Sequence, residues 1–529
     1  MKNIQRTLVL GCSLLALAGC GADEIVSPGT SGDIIINNPP PSPTPTPTPT
    51  PTQALVTPAA GCPTINSTGG LTDSSTISGP TGTWRVCTLP ATFNQSDTLP
   101  YIPGLLYALG GQTFVGTDQG FSSTNTAVTL TVEPGVIVFA QGSSALVVNR
   151  GNRLAANGTA ARPIVWTSRD NVIGVATDNS QQQWGGIVLL GRARVSDCST
   201  GGVNTDNTFS QNPTCQQNLE GAATTIPYGG ANDADSSGSF TFNQIRFSGF
   251  ELAPGNELQS LTTGGIGSGT TITNLQSFNS SDDGVEFFGG TVRIRNLAVI
   301  GASDDSLDVD TGSQADLDTV IVVQRASTGD ANIELDSPNG VSTPIVARPQ
   351  TRLQVNNFTF VERSSVSAQM VRARGGAGLS LTNGVMDKID SDATFCFRID
   401  EQETLDALIG IDSVVCDGST NRQARGDRGS GANNTTDAEV LAGVTAGTNV
   451  NLAFAITLTG TVVNGMGETG VTTFDATGRS SFFAPARTFV GAIQNTAALT
   501  TIFGSWTCNS STMDFGSTNG ACTTLPVYT

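Results

Sequence analysis

Apolar and polar residues alternate along this chain in short bursts. Val128-Thr129-Leu130-Thr131-Val132 alternates, Pro134-Gly135 interrupts, and Val136-Ile137-Val138-Phe139 resumes. Ala145-Leu146-Val147-Val148, Ile164-Val165-Trp166-Thr167 and Trp184-Gly185-Gly186-Ile187-Val188-Leu189-Leu190 follow. Bursts of this length bounded by Pro and Gly predict β-strands, and no segment carries a helical stripe of 12 or more residues. Two stretches then repeat at a spacing of 22 residues. Ile272-Thr273-Asn274-Leu275 leads to Ser281-Asp282-Asp283-Gly284-Val285-Glu286-Phe287. Ile294-Arg295-Asn296-Leu297 leads to Ser303-Asp304-Asp305-Ser306-Leu307-Asp308-Val309. A short period built from strands predicts a solenoid with one coil per repeat.

Asn or another small polar residue recurs just ahead of an apolar one, at Asn274, Asn296, Thr319, Asn357, Asn383 and Ser413. Asn tolerates the left-handed backbone and can hydrogen-bond to a copy of itself one strand away. A corner repeated in register favours a parallel β-helix over a sandwich. The expected fold is all-β: an N-terminal β cap over residues 62–125, the helix over 126–420, and a loop with a β-rich cap over 421–529, which would close the open strand edges.

Strand alternation points Val285, Phe287, Leu307, Val309, Ile333 and Leu335 inward, and Glu286, Asp308 and Glu334 outward. Coils about 4.8 Å apart would stack those three acids in one column. They would also bring Asp282 and Asp283 over Asp304 and Asp305, with Asp330 next. Like charges so close require hydration, raised pKa values or a cation between them. Three readings follow: a hydrated surface ladder, a Ca²⁺ site formed by Asp282, Asp283, Glu286, Asp304, Asp305 and Asp308, or a glycan-cleaving pair built on Asp283 and Asp305. Asp233-Ala234-Asp235 resembles the first half of an EF-hand loop, but the twelfth position is Gln244, so a polar turn is expected.

Composition narrows the chemistry. The 529 residues include no histidine, which excludes Ser-His-Asp catalysis and His-ligated zinc or haem. Lysine occurs only at Lys2 and Lys388. The net charge of −19 argues against nucleic acid as a partner. Only 13% of residues are charged and 62 are Gly, as expected of an exported, turn-rich β protein. Arg425-Gly426-Asp427 matches an integrin-binding tripeptide at a length expected by chance.

The N-terminus has a basic start and a short apolar run, Leu8 to Ala18, that ends in Leu17-Ala18-Gly19-Cys20. This resembles a bacterial lipobox, which implies cleavage after residue 19 and lipid attachment at Cys20. Gly21 lacks the Asp that favours retention in the inner membrane, so the outer membrane is expected. Residues 20–61 would be a tether: its Pro/Thr repeat, at about 3.1 Å per residue in polyproline II, reaches roughly 40 Å over about 14 residues. Eight further cysteines fall into neighbouring pairs: Cys62 with Cys87, Cys198 with Cys215, Cys396 with Cys416, and Cys508 with Cys522. An even count after an export signal predicts disulfides.

Trp184-Gly185-Gly186, Asn218-Leu219-Glu220-Gly221, Tyr228-Gly229-Gly230, Gly264-Gly265-Ile266-Gly267-Ser268-Gly269-Thr270 and Asp282-Asp283-Gly284-Val285-Glu286-Phe287-Phe288-Gly289-Gly290 together resemble a family of secreted Gram-negative β-helix lipoproteins and surface proteins. The fold is more distantly similar to that of pectate lyases and polygalacturonases. The Gly-His-Gly and Arg-Ile-Lys motifs of polygalacturonases are missing. The resemblance implies a right-handed parallel β-helix and transfers no reaction. The expected role is a surface-exposed outer-membrane lipoprotein that binds a glycan, an envelope protein or a receptor, with Ca²⁺ as the candidate ion. The alternative is a polysaccharide lyase or glycosidase using the stacked acids.

Overall fold

The computed structural model describes residues 55–201, 214–219, 225–253, 256–337, 350–389, 394–418, 421–427, 434–484 and 487–528. The expected signal sequence, Cys20 and the Pro/Thr repeat lie outside them. Parallel strands stack coil on coil into two long sheets, one of 15 and one of 11 described strands. This is a parallel β-helix. Leu, Val, Ile and Phe side chains from both sheets fill its interior along one continuous core, from Phe93 through Leu275, Val309 and Leu381 to Val444.

From Thr271 onward the third face of the coils comes from a bend within a strand. Thr271–Phe278, Thr291–Ile300, Gln314–Val323, Arg352–Glu362, Gly378–Lys388 and Gly410–Cys416 pair in parallel. Each contains one left-handed residue: Asn274, Asn296, Thr319, Asn357, Asn383 and Ser413 have φ between 50° and 64°. Residues on either side of the bend stay paired, as with Thr273 to Arg295 and Leu275 to Leu297. The backbone role expected of these positions holds at all six. The expected self-paired ladder is not among their bonds, since none of the six bonds to another of the six. Asn383 donates to Asn356 Oδ1, one coil away, at 3.0 Å, but it also donates to Phe474 O at 2.9 Å, and Asn357 donates to Phe489 O at 2.9 Å.

Those acceptors belong to the C-terminal segment, where the structure differs most from expectation. It is not a β-rich cap. Among its described residues the ordered elements are the short strand Ala424–Gly426, the helices Asp437–Val444, Met466–Thr469 and Thr496–Phe503, one 3₁₀ turn and isolated bridges. Only the first helix closes an end: Thr436 and Glu439 form its capping box, and Val440 and Val444 enter the core. Beyond it the chain lies along the outside of the bent strands as a strap. Trp506, Phe503, Phe515, Val462 and Ile493 cover Phe247, Phe278, Ile300, Ile321, Val323 and Val361. The strap reaches the first coils, where the Tyr101 hydroxyl donates to Tyr528 O at 2.9 Å. Polar groups also meet across this contact: Gln276 donates to Cys508 O at 3.0 Å and accepts from Cys508 N at 2.7 Å.

At the N-terminal end, Thr72–Gly79 pairs antiparallel with Gly82–Thr88, and parallel stacking begins at once, with Gly82–Thr88 on Leu105–Ala108. The four expected disulfides are all present: Cys62–Cys87, Cys198–Cys215, Cys396–Cys416 and Cys508–Cys522. No helix among the described residues is long and apolar enough to cross a membrane.

Candidate functional site

The 11-strand sheet places the repeat's acids in register. Thr262, Glu286, Asp308 and Glu334 occupy one outward column on successive strands. Val285, Phe287, Leu307, Val309, Ile333 and Leu335, which flank the acids, point into the core. The same column continues through Arg372, Arg398 and Arg425. Three acids are thus followed by three arginines along one face. The arginines' place in the column is hidden in the sequence because Arg372 lies 38 residues beyond Glu334, which breaks the 22-residue period.

The Asp pairs sit at the corner that enters these strands. Asp283 Oδ1 accepts the backbone N–H of Asp305 at 3.0 Å, and Asp305 Oδ1 accepts that of Ala331 at 2.7 Å. Each inner aspartate therefore ties its coil to the next, and both are buried, at 6% and 4% exposure. The outer aspartates behave differently. Asp304 is exposed, Asp282 and Asp330 half-buried, and Asp282 accepts from Gln259 Nε2 at 3.0 Å. Gly284 is required here by close approach: a Cβ on it would lie 2.2 Å from Val299 Cγ1.

Burial, and then the neighbouring carboxylates, push Asp283, Asp305 and Asp308 well above the ordinary aspartate range. Asp308 also shares a side-chain hydrogen bond with Glu286, which acts against this rise. Asp310, on the same strand and mainly through burial, rises to about 7. Asp304 and Asp330 shift upward for the same reason. The column is partly neutralised at one end, where Arg372 Nη1 meets Glu334 at 2.9 Å and Arg374 meets Glu334 at 3.3 Å and Asp336 at 2.8 Å.

Three groups of carboxylates could hold a metal ion: Asp282, Asp283 and Asp304; Asp283, Glu286 and Asp308; and Asp304, Asp305 and Asp330. Within each, one oxygen per residue lies within 4.8 Å of the others. Two oxygens on opposite sides of an ion at about 2.4 Å would be about 4.8 Å apart, so a hard cation fits between them. The donors are all oxygen, as such an ion requires. The six expected metal ligands, Asp282, Asp283, Glu286, Asp304, Asp305 and Asp308, fall within these groups, and Asp330 joins them.

The insertion between Gly191 and Gly238 walls the column on its other side. Its Tyr228, Cys215 and Val195 pack on Val147, Val188 and Phe288. The EF-hand-like residues serve this wall: Asp235 pairs with Arg192, both nearly fully buried, and Asp233 pairs with Arg194. Their carboxylates hold arginines, in keeping with a polar turn. Arg425 lies on the strand Ala424–Gly426, so the integrin-like tripeptide is part of the solenoid wall.

No curated protein and no solved structure matches the chain. A family model described as a pectate-lyase-like β-helix domain matches residues 106–459, more than half of the chain. With its stacked parallel sheets, the chain belongs to the family of pectate-lyase-like β-helix domains.

Proposed function

We propose that this protein is an outer-membrane lipoprotein, tethered through Cys20, whose β-helix body serves a binding or structural role at the cell surface. Its partner would be a glycan, an envelope protein or a receptor. Ca²⁺ would bridge the stacked acids, entering among Asp282, Asp283 and Asp304 and among Asp304, Asp305 and Asp330. The observation that carries this reading is the bonding of Asp283 and Asp305. The two residues that catalysis would need are buried and accept backbone N–H groups from the next coil, which suits a fixed structural rung. An all-oxygen donor set with room for ligands at 2.3–2.6 Å supports Ca²⁺. The test is to incubate the mature protein with acidic polysaccharides and Ca²⁺, and to measure binding and new reducing or unsaturated ends. Binding without turnover supports the proposal; turnover overturns it.

One observation favours a second reading. The hydrogen-bonded pair Glu286 and Asp308 stands one strand from the Glu334–Arg372 pair on the same face. A lyase or glycosidase would draw on such acids, with Asp283 and Asp305 beside them. In that case Asp308→Asn abolishes turnover while the fold is kept.

A further inference from the structure

Arg246 ends the strand Gly238–Arg246 and points outward beneath the strap. It is 2% exposed. Its Nη1 donates to Cys522 O at 2.7 Å and Thr524 O at 3.0 Å, and its Nε donates to Gln244 Oε1 at 2.9 Å. Its Nη2 also donates to Gln244. Every one of these acceptors is neutral. Burial lowers its pKa to about 10, and the group that acts against this is the Tyr528 phenol. Two other buried arginines are matched by carboxylates, Arg192 by Asp235 and Arg150 by Asp118, whereas Arg325, like Arg246, meets only neutral acceptors. A buried guanidinium held only by neutral acceptors carries an uncompensated charge, which is costly unless an anion reaches it.

Arg246 also lines a cavity of about 590 Å³ between the sheet and the strap, with Gln244, Ser505, Thr518, Thr524 and Tyr528 among the walls. We propose that this cavity is a small-oxyanion site in which Arg246 is the charge anchor. The ligand class is a carboxylate or a phosphate. A guanidinium fork recognises both, and hydroxyl and amide groups surround it. This site is built from residues other than those of the acidic column and stands independently of it.

The experiment is thermal unfolding of the mature, disulfide-bonded protein at pH 7 in sodium chloride. Sodium acetate or sodium phosphate replaces part of the chloride at constant ionic strength, and calorimetric titration with the same salts runs alongside. The expected result is a saturable rise in Tm with acetate, phosphate or both, lost in Arg246→Gln. Acetate alone identifies a carboxylate site and phosphate alone a phosphate site. If Arg246→Gln does not fold, Arg246→Lys should keep the rise and Thr518→Trp, which fills the cavity, should remove it. The proposal is overturned if wild type shows no saturable effect, if Arg246→Gln retains it, or if Thr518→Trp leaves it unchanged.

Discussion

Single residues set both the shape and the electrostatics of this molecule. The six left-handed positions were legible because Asn is the non-glycine residue that best tolerates φ near +55°. Thr319 and Ser413 follow the same spacing. The side-chain bonds of Asn357 and Asn383 were not legible, since their partners lie 132 and 91 residues away. Asn383→Ala should cost about 1–2 kcal/mol for the backbone alone, and Asn383→Gly less, measured by denaturant unfolding. The acids carry a pH prediction. Their folded pKa values lie above the unfolded ones, so their stabilising contribution is full at low pH and is lost as pH rises through the folded values. Asp310 at about 7, Asp387 at about 6 and Glu362 at about 8 place the window between about pH 5 and 8. The metal-free protein should therefore lose thermal stability across that range. Ca²⁺ should restore the share that comes from the column, while the share from Glu362 should persist until Glu362→Gln removes it. A Tm that climbs steadily from pH 5 to 8 in chelator would contradict this.

At the scale of elements, the coil was readable and the strap was not. Two uninterrupted copies at 22 residues sufficed to align Glu286 with Asp308. Insertions then shifted the spacing, so the arginine half of the column went unseen. The strap has no periodic pattern of its own, because it packs irregularly on a face made by others. Its signal lay in the strands beneath it. Leu297-Ala298-Val299-Ile300 and Val320-Ile321-Val322-Val323 are continuous apolar runs, and a strand apolar on both sides is covered on both sides. Ile300 and Val323 do face the strap, while Val299 and Val322 face the core. Trp506 fills the centre of that contact and stacks edge-on against Phe242, which itself holds a φ of 51°. Trp506→Ala should cost about 3–5 kcal/mol, as for other large buried aromatics, and should raise hydrogen exchange in the outer halves of the bent strands before the inner ones. Uniform loss of protection across both sheets would show that the strap is not a separable layer.

For the whole molecule, the solenoid offers one long face with graded chemistry: apolar and covered by the insertion, then acidic, then basic. On the proposed reading, that gradient would suit a body that binds along its length. Cys20→Ser should release the protein from the membrane fraction into the soluble fraction, as fractionation and blotting would register; retention would remove the lipid anchor from the account. The most direct test of the central claim is the melting temperature of the mature protein at pH 7 in Ca²⁺ and in chelator. It should be measured for wild type and for Asp283→Asn combined with Asp305→Asn. The account predicts a clear drop on chelation in wild type, and no difference between the two conditions in the double variant. Superimposable wild-type curves would contradict it.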